Sequence, residues 1–247
     1  MFVDAHCHIN ALPPVTRQAL TPTLTSLGIC IDSSINCVTT IESLSLSSQL
    51  ERVYSSIGFH PFCAQEFSID ILTTYKNFIS QNSKIVAIGE IGLDEKAQAP
   101  LSQQEAVLRE FLRLAKETGL PVIIHNRLSG DGILGILNDF FPSYEKVIFH
   151  CFSYDSELLH AVVAKGAYVS FSLNVLRKQT RVLQSLVACP LERMLLETDS
   201  PYMKINQQPS TPFDIKTLYE FVASLRKIDR EEFARNILLN AKKFFSL

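Results

Sequence analysis

Five of the six histidines in this chain, His6, His8, His60, His125 and His150, stand at or just after the end of a short apolar run, as do two carboxylates, Glu90 and Asp199. Imidazole nitrogens and carboxylate oxygens brought to one place form the donor set of a divalent metal centre. In His6-Cys7-His8 the two rings are two residues apart. On an extended backbone they face one side and Cys7 turns away. Glu90 closes the run KIVAIGE (84–90), and a carboxylate behind apolar residues is costly unless it is paired or bound to a cation. Its two oxygens allow it to bridge two ions roughly 3.5–4 Å apart. His125 closes PVIIH and His150 closes KVIFH. Asp199 follows RMLLET (193–198). A carboxylate there can ligate a metal and accept a proton from its water, whose pKa the ion lowers toward ~7. His6, His8, Glu90, His125, His150 and Asp199 are therefore the candidate ligands, with Glu90 and Asp199 the candidate catalytic carboxylates. Imidazole suits zinc, a mixed set also suits manganese, and magnesium prefers oxygen. The metal stays open among the three, with zinc favoured for tight binding. His160, inside a helical pattern, reads as a surface or packing histidine.

These residues need a frame that brings strand ends together. The candidate strands are 2–6, 28–34, 52–59, 84–90, 121–125, 146–150, 167–172 and 193–198. Most are continuous apolar or β-branched runs, the pattern of parallel strands buried on both faces. Helical patterns lie between them at 70–81, 102–119, 155–166 and 180–188, and the tail from 212 to 246 carries two more, the last at 230–245. Strand–helix alternation implies a parallel α/β fold. An open sheet would spread the candidate ligands along a crevice, whereas a (β/α)8 TIM barrel gathers all strand C-termini on one face. The ring arrangement is the simpler one, and 247 residues suit a single barrel spanning 1–247.

Hydrophobic residues make up 47% of the chain and charged residues 19%, enough apolar material for a large core and unlike a disordered protein. The net charge of −2 supplies no long-range field for nucleic acid, but it leaves local phosphate handling in a cleft open. Six cysteines without a Cys-x-x-Cys pair read as reduced thiols. No leader-like or membrane-spanning stretch is expected, so a soluble cytoplasmic enzyme without an obligate protein partner is the default.

Six stretches also resemble the TatD-like metal-dependent hydrolases, a branch of the amidohydrolase-type barrels. They are DAHCHIN (4–10), IGFHP (57–61), AIGEIGLD (87–94), LPVIIHNR (120–127), FHCFS (149–153) and LLETDSPYM (195–203), in the family's order and spanning nearly the whole chain. The resemblance implies two metal ions, one held by His6, His8, Glu90 and Asp199 and the other by Glu90, His125 and His150. It also implies deoxyribonuclease activity, including 3′-to-5′ exonuclease action on single-stranded DNA. Two positions depart from the family: Glu95 stands where an aromatic residue is common, and KINQQPSTPFD (204–214) replaces a longer segment, which bears on substrate choice.

Two metals can clamp both oxygens of an in-line phosphodiester displacement. His60 and Arg127 are the candidate substrate-binding residues, Arg127 as a bidentate donor to phosphate. His60 could instead orient a ligand. Asp94 is expected to hydrogen-bond within its loop. Phe59, Phe62, Phe152 and Tyr202, all beside site motifs, could stack on unpaired bases or simply pack the barrel mouth. DNA is thus the first expected substrate. The alternative keeps the centre but makes it an amidohydrolase or esterase acting on a small molecule or an aminoacyl ester. A binding protein with an idle barrel gives no reason to keep six ligands at strand ends.

Overall fold

The computed structural model describes residues 1–128 and 132–247. Eight parallel strands pair in sequence order: β1 (Val3–Cys7), β2 (Ile29–Ser33), β3 (Val53–Ile57), β4 (Ile85–Asp94), β5 (Val122–Arg127), β6 (Val147–Phe149), β7 (Tyr168–Phe171) and β8 (Met194–Leu196). Every strand residue is buried except Tyr54 and Arg127, which are partly so, because the barrel interior covers one face and a helical layer the other. That double burial explains why the strands read as unbroken apolar runs.

The outer helices are α1 (Pro14–Leu20), α2 (Cys37–Gln49), α3 (Ile71–Gln81), α4 (Leu101–Thr118), α5 (Gly132–Phe140), α6 (Ser156–Ala164), α7 (Thr180–Ala188), α8 (Ile215–Arg226) and α9 (Arg230–Phe245). In α4, Val107, Leu108, Phe111, Leu112, Leu114 and Ala115 form the buried face. The helix stops at Gly119, whose φ of 71° lies in the left-handed region that glycine adopts most readily. Asp155 caps α6 through Leu158 N–H at 3.1 Å. His160 is exposed on this helix, as expected.

Two strands run past their expected ends. β4 continues through Glu90 to Asp94 and β5 through His125 to Arg127, so Glu90 and His125 lie within strands instead of closing them. Their pairing shifts register between Ile88 and Ile91. Gly92 permits this: a Cβ there would sit 1.8 Å from the carbonyl oxygen of His125. Gly89 is almost as crowded, its notional Cβ lying 2.6 Å from Cβ of Ile123. The Gly89–Glu90 and Ser200–Pro201 peptides are cis.

The barrel closes between β8 and β1 without a regular strand ladder. Asp199 N–H donates to His6 O at 3.0 Å and His8 N–H to Ser200 O at 2.7 Å. Below them, buried Asp4 accepts from Thr198 N–H at 2.8 Å and from Thr198 Oγ1 at 2.6 Å. Burial pushes the Asp4 carboxyl well up even against those hydrogen bonds. The six cysteines are free thiols, and Cys7 Sγ faces Cys30 Sγ at 3.4 Å, away from the neighbouring histidines.

Candidate metal centre

The strand C-termini bring all six candidate ligands into one buried cluster. His6, Glu90 and His150 offer donor atoms within 4.8 Å of one another, as do His6, His8 and Asp199. All are buried, with exposures of 8% or less. The Glu90 carboxylate lies between two histidine pairs. Its Oε2 is 3.4 Å from His6 Nε2 and 3.5 Å from His8 Nε2. Its Oε1 is 2.7 Å from His150 Nε2 and 2.6 Å from His125 Nδ1. Asp199 Oδ1 is 3.5 Å from His8 Nε2 on the first side.

Hydrogen bonds behind the rings orient them, and for His8 they fix the proton. His8 Nδ1 is 2.9 Å from Ser33 O. A carbonyl only accepts, so Nδ1 carries the proton and the Nε2 lone pair faces the cleft. His150 Nδ1 meets Glu197 Oε1 at 3.3 Å, leaving Nε2 as its free donor. His125 is turned the other way: Nε2 donates to Asp94 Oδ2 at 2.9 Å and Nδ1 faces Glu90. His6 Nδ1 rests against Ser33 Oγ at 3.1 Å, and Ser33 is itself held by Ser56 Oγ at 2.8 Å. Ring nitrogens aimed inward and oriented from behind are the arrangement by which proteins prepare histidines for metal. The donor set therefore fits a divalent ion.

His60 differs. Its Nδ1 accepts Phe62 N–H at 3.1 Å, so in the neutral ring Nε2 bears the proton, 3.6 Å from Glu90 Oε1. It faces the centre as a donor and not as a ligand. Burial lowers its pKa to about 3, so it stays neutral down to acid pH.

The electrostatics of the other groups show a balance that burial alone would not give. Burial would neutralise Glu90, but His150, His60 and His125 outweigh it and hold the carboxylate well below its usual range. Burial raises Asp199 as well, yet the hydrogen bond to His8 and the charges of His150 and His6 bring it net down. Burial disfavours charged His150, but Glu90 and Glu197 override it and raise its pKa well above the ordinary value. Without cations the site recruits protons to balance its carboxylates, and a divalent ion would displace them.

The cleft has a volume of about 300 Å³ and is lined by His60, Phe62, Asp94, Arg127 and Tyr202 as well as by ligand candidates. Arg127 Nη1 donates to Ser153 Oγ at 3.2 Å, which orients the guanidinium. Asp94 is the last residue of β4 and not a loop residue; it makes the expected local hydrogen bond, accepting Lys96 N–H at 2.7 Å, and it also orients His125. Of the four aromatics flagged in the motifs, Phe59 and Phe152 are buried packing residues, whereas Phe62 and Tyr202 line the cleft.

Sequence reasoning missed Glu197, which is fully buried and also accepts a hydrogen bond from Ser170 Oγ. The clue was present: Glu197 is a carboxylate directly behind the apolar MLL of β8, the same anomaly that marks Glu90. Asp4, two residues before His6, carried a similar clue.

The nearly closed eight-stranded barrel and a buried His/Glu/Asp cluster at its strand ends define the class of metal-dependent hydrolases. The family model for TatD related DNase matches residues 3–246, and the chain belongs to that family. It is 29% identical over 258 residues to the "uncharacterized metal-dependent hydrolase YabD" of Bacillus subtilis, with full coverage of both chains. It is 31% identical over 204 residues to the "3′-5′ ssDNA/RNA exonuclease TatD" of Pantoea ananatis, covering 78% of each. Among solved structures, the TatD homologue YjjV of Escherichia coli superposes with a TM-score of 0.90 at 27% identity, covering 100% of this chain and 98% of that one. The chain is a metal-dependent hydrolase of the TatD family. Among the described residues, no helix is long and apolar enough to cross a membrane.

Proposed function

We propose that this hydrolase removes nucleotides from the 3′ end of single-stranded DNA, using two divalent ions that His6, His8, Glu90, His125, His150 and Asp199 would hold. The observation that carries the reading is the division of the Glu90 carboxylate, with Oε2 toward His6 and His8 and Oε1 toward His125 and His150. Asp199 completes the first set. The exonuclease name of the Pantoea ananatis relative supports the choice of substrate. Zinc or manganese suits this imidazole-rich set better than magnesium.

When bound, the ions supply an acidified water and neutralise charge on a phosphodiester. The chain's own groups do the rest. Asp199, held ionised at the cleft, accepts the proton of the attacking water. His60 presents Nε2–H to a phosphate oxygen, and Arg127, which also lines the cleft, adds a planar cationic donor set. Glu197 and Asp94 hold the His150 and His125 rings in place.

The test is hydrolysis of a 3′-labelled single-stranded oligonucleotide with manganese, zinc or magnesium added to protein dialysed against chelator. Release of labelled mononucleotide that depends on added metal is the expected result. No release, together with metal-dependent turnover of carboxylic esters or amides, would refute the nuclease assignment in favour of an amidohydrolase or esterase.

A further inference from the structure

Of the 16 phenylalanines and 7 tyrosines in the chain, only Phe62 and Tyr202 are exposed, at 58% and 54%. Both line the same cleft over the histidines. Scattered exposed aromatics need no explanation, but two confined to one cleft keep apolar area in water where a ligand would cover it.

Both rings stand on fixed backbone. Phe62 follows β3 in a short 3-10 turn, Pro61–Glu66, with its own N–H on His60 Nδ1 and Cys63 N–H on His60 O at 2.8 Å. Tyr202 follows β8 in a turn closed by Met203 N–H on Asp199 O at 3.1 Å. A tight hairpin, Lys204–Ile205 against Gln208–Pro209, then turns through Asn206 and Gln207, both at positive φ. Each ring meets a histidine of the centre edge to face: Phe62 with His60 at 4.9 Å and 80°, Tyr202 with His8 at 4.9 Å and 66°. The rings are thereby positioned without being covered.

Strand order places these residues along one arc. Tyr202 follows β8, Ile35 follows β2 and Phe62 follows β3, while Asp94 and Arg127 come from β4 and β5. The cleft lining therefore combines two exposed aromatic rings with the charged side chains of Asp94 and Arg127, beside the ligand cluster. A nucleotide has the same combination, a flat base with two apolar faces joined through sugar to a charged phosphate.

We infer that Phe62 and Tyr202 form a base-stacking subsite for the nucleotide whose phosphodiester lies at the metal centre, an inference that rests on the nuclease reading above. Stacking reads a base by its face, so the subsite tolerates any sequence and selects unpaired ends, because a duplex already covers those faces. A volume of about 300 Å³, at the small end of ligand pockets, suits one terminal nucleotide and not a duplex.

The test compares single-stranded oligo-deoxyadenylate with the same oligonucleotide ending in a 3′ abasic residue. Wild-type kcat/KM should fall roughly tenfold on the abasic end, mostly through KM, from the usual strength of base–aromatic stacking. Phe62→Leu and Tyr202→Leu should each lose roughly threefold more on the intact end than on the abasic one, because the two rings share the tenfold. Tyr202→Phe, which keeps the ring, should retain the discrimination. Equal losses on both substrates, or discrimination lost in Tyr202→Phe, would overturn the subsite while leaving the nuclease reading intact. Wild-type protein that cleaves neither oligonucleotide would overturn the nuclease reading and the subsite with it.

Discussion

Replacing Glu197 separates the work of holding a ring from the work of holding the fold. Its carboxylate is fully buried between His150 Nδ1–H and Ser170 Oγ–H, both of which donate to it. Glu197→Gln keeps the shape and one acceptor oxygen but removes the charge and puts an NH2 against one of two donors. Outer groups of this kind typically set metal affinity by about 10–100-fold, which is about 1.4–2.7 kcal/mol. Loss of that size is expected for an ion that His150 would help to hold. Glu197→Leu instead strands two buried donors at about 1–3 kcal/mol each, or about 2–6 kcal/mol together. That is a large part of the about 5–15 kcal/mol by which a domain is stable. Calorimetric titration of chelator-treated protein with zinc or manganese, beside thermal melts of the metal-free forms, reads both quantities. The Gln variant should weaken metal binding and melt only modestly lower, whereas the Leu variant should melt markedly lower. If Glu197→Gln binds metal as tightly as wild type, the assigned role of Glu197 is wrong.

Three further outcomes follow from the same geometry. Glu90→Ala and Asp199→Ala should each abolish hydrolysis with the circular dichroism spectrum preserved, and a fully active Asp199→Ala protein would disprove its role as proton acceptor. Gly92→Ala should not yield a native protein, since its Cβ would fall 1.8 Å from a backbone oxygen that cannot move without displacing His125; soluble yield and melting temperature check this. In metal-free protein, His60 stays neutral to about 3 whereas an exposed histidine takes its proton near 6.5. The unfolded chain therefore binds the extra proton first, and this contribution to stability is present above about 6.5 and lost as pH falls toward 3. His60→Asn should make the acid limb of a denaturation curve shallower, and an unchanged slope would refute the account.

The strands were legible because parallel strands buried on both faces must be apolar throughout, and the ligands because each breaks such a run. What stayed hidden had partners far away in sequence. Glu197 gains its meaning from His150, and Asp94 from His125, pairings visible only once β4 to β8 are side by side. Helix α2 escaped for a different reason. Its inner face is largely hydroxyl: Ser43 Oγ bonds Asp32 O at 3.1 Å and Ser55 Oγ at 2.9 Å, so it lacks the apolar stripe that revealed α4. The extensions of β4 and β5 depended on Gly92 accepting a neighbouring carbonyl where any side chain would clash.

The seam between β8 and β1 has a consequence for how the chain is made. His8 leaves the ribosome long before its partner Asp199, and Asp4 long before its partner Thr198, each pair being more than 190 residues apart. A nascent chain cannot bring Asp199 to His8 before residue 199 has emerged, so a shorter fragment lacks one carboxylate of the buried cluster. The order of synthesis thus leaves the seam open until the barrel is nearly whole, and the hydrogen bonds of Asp199, Ser200 and Thr198 to the first strand and His8 then tie the two ends of the strand array together.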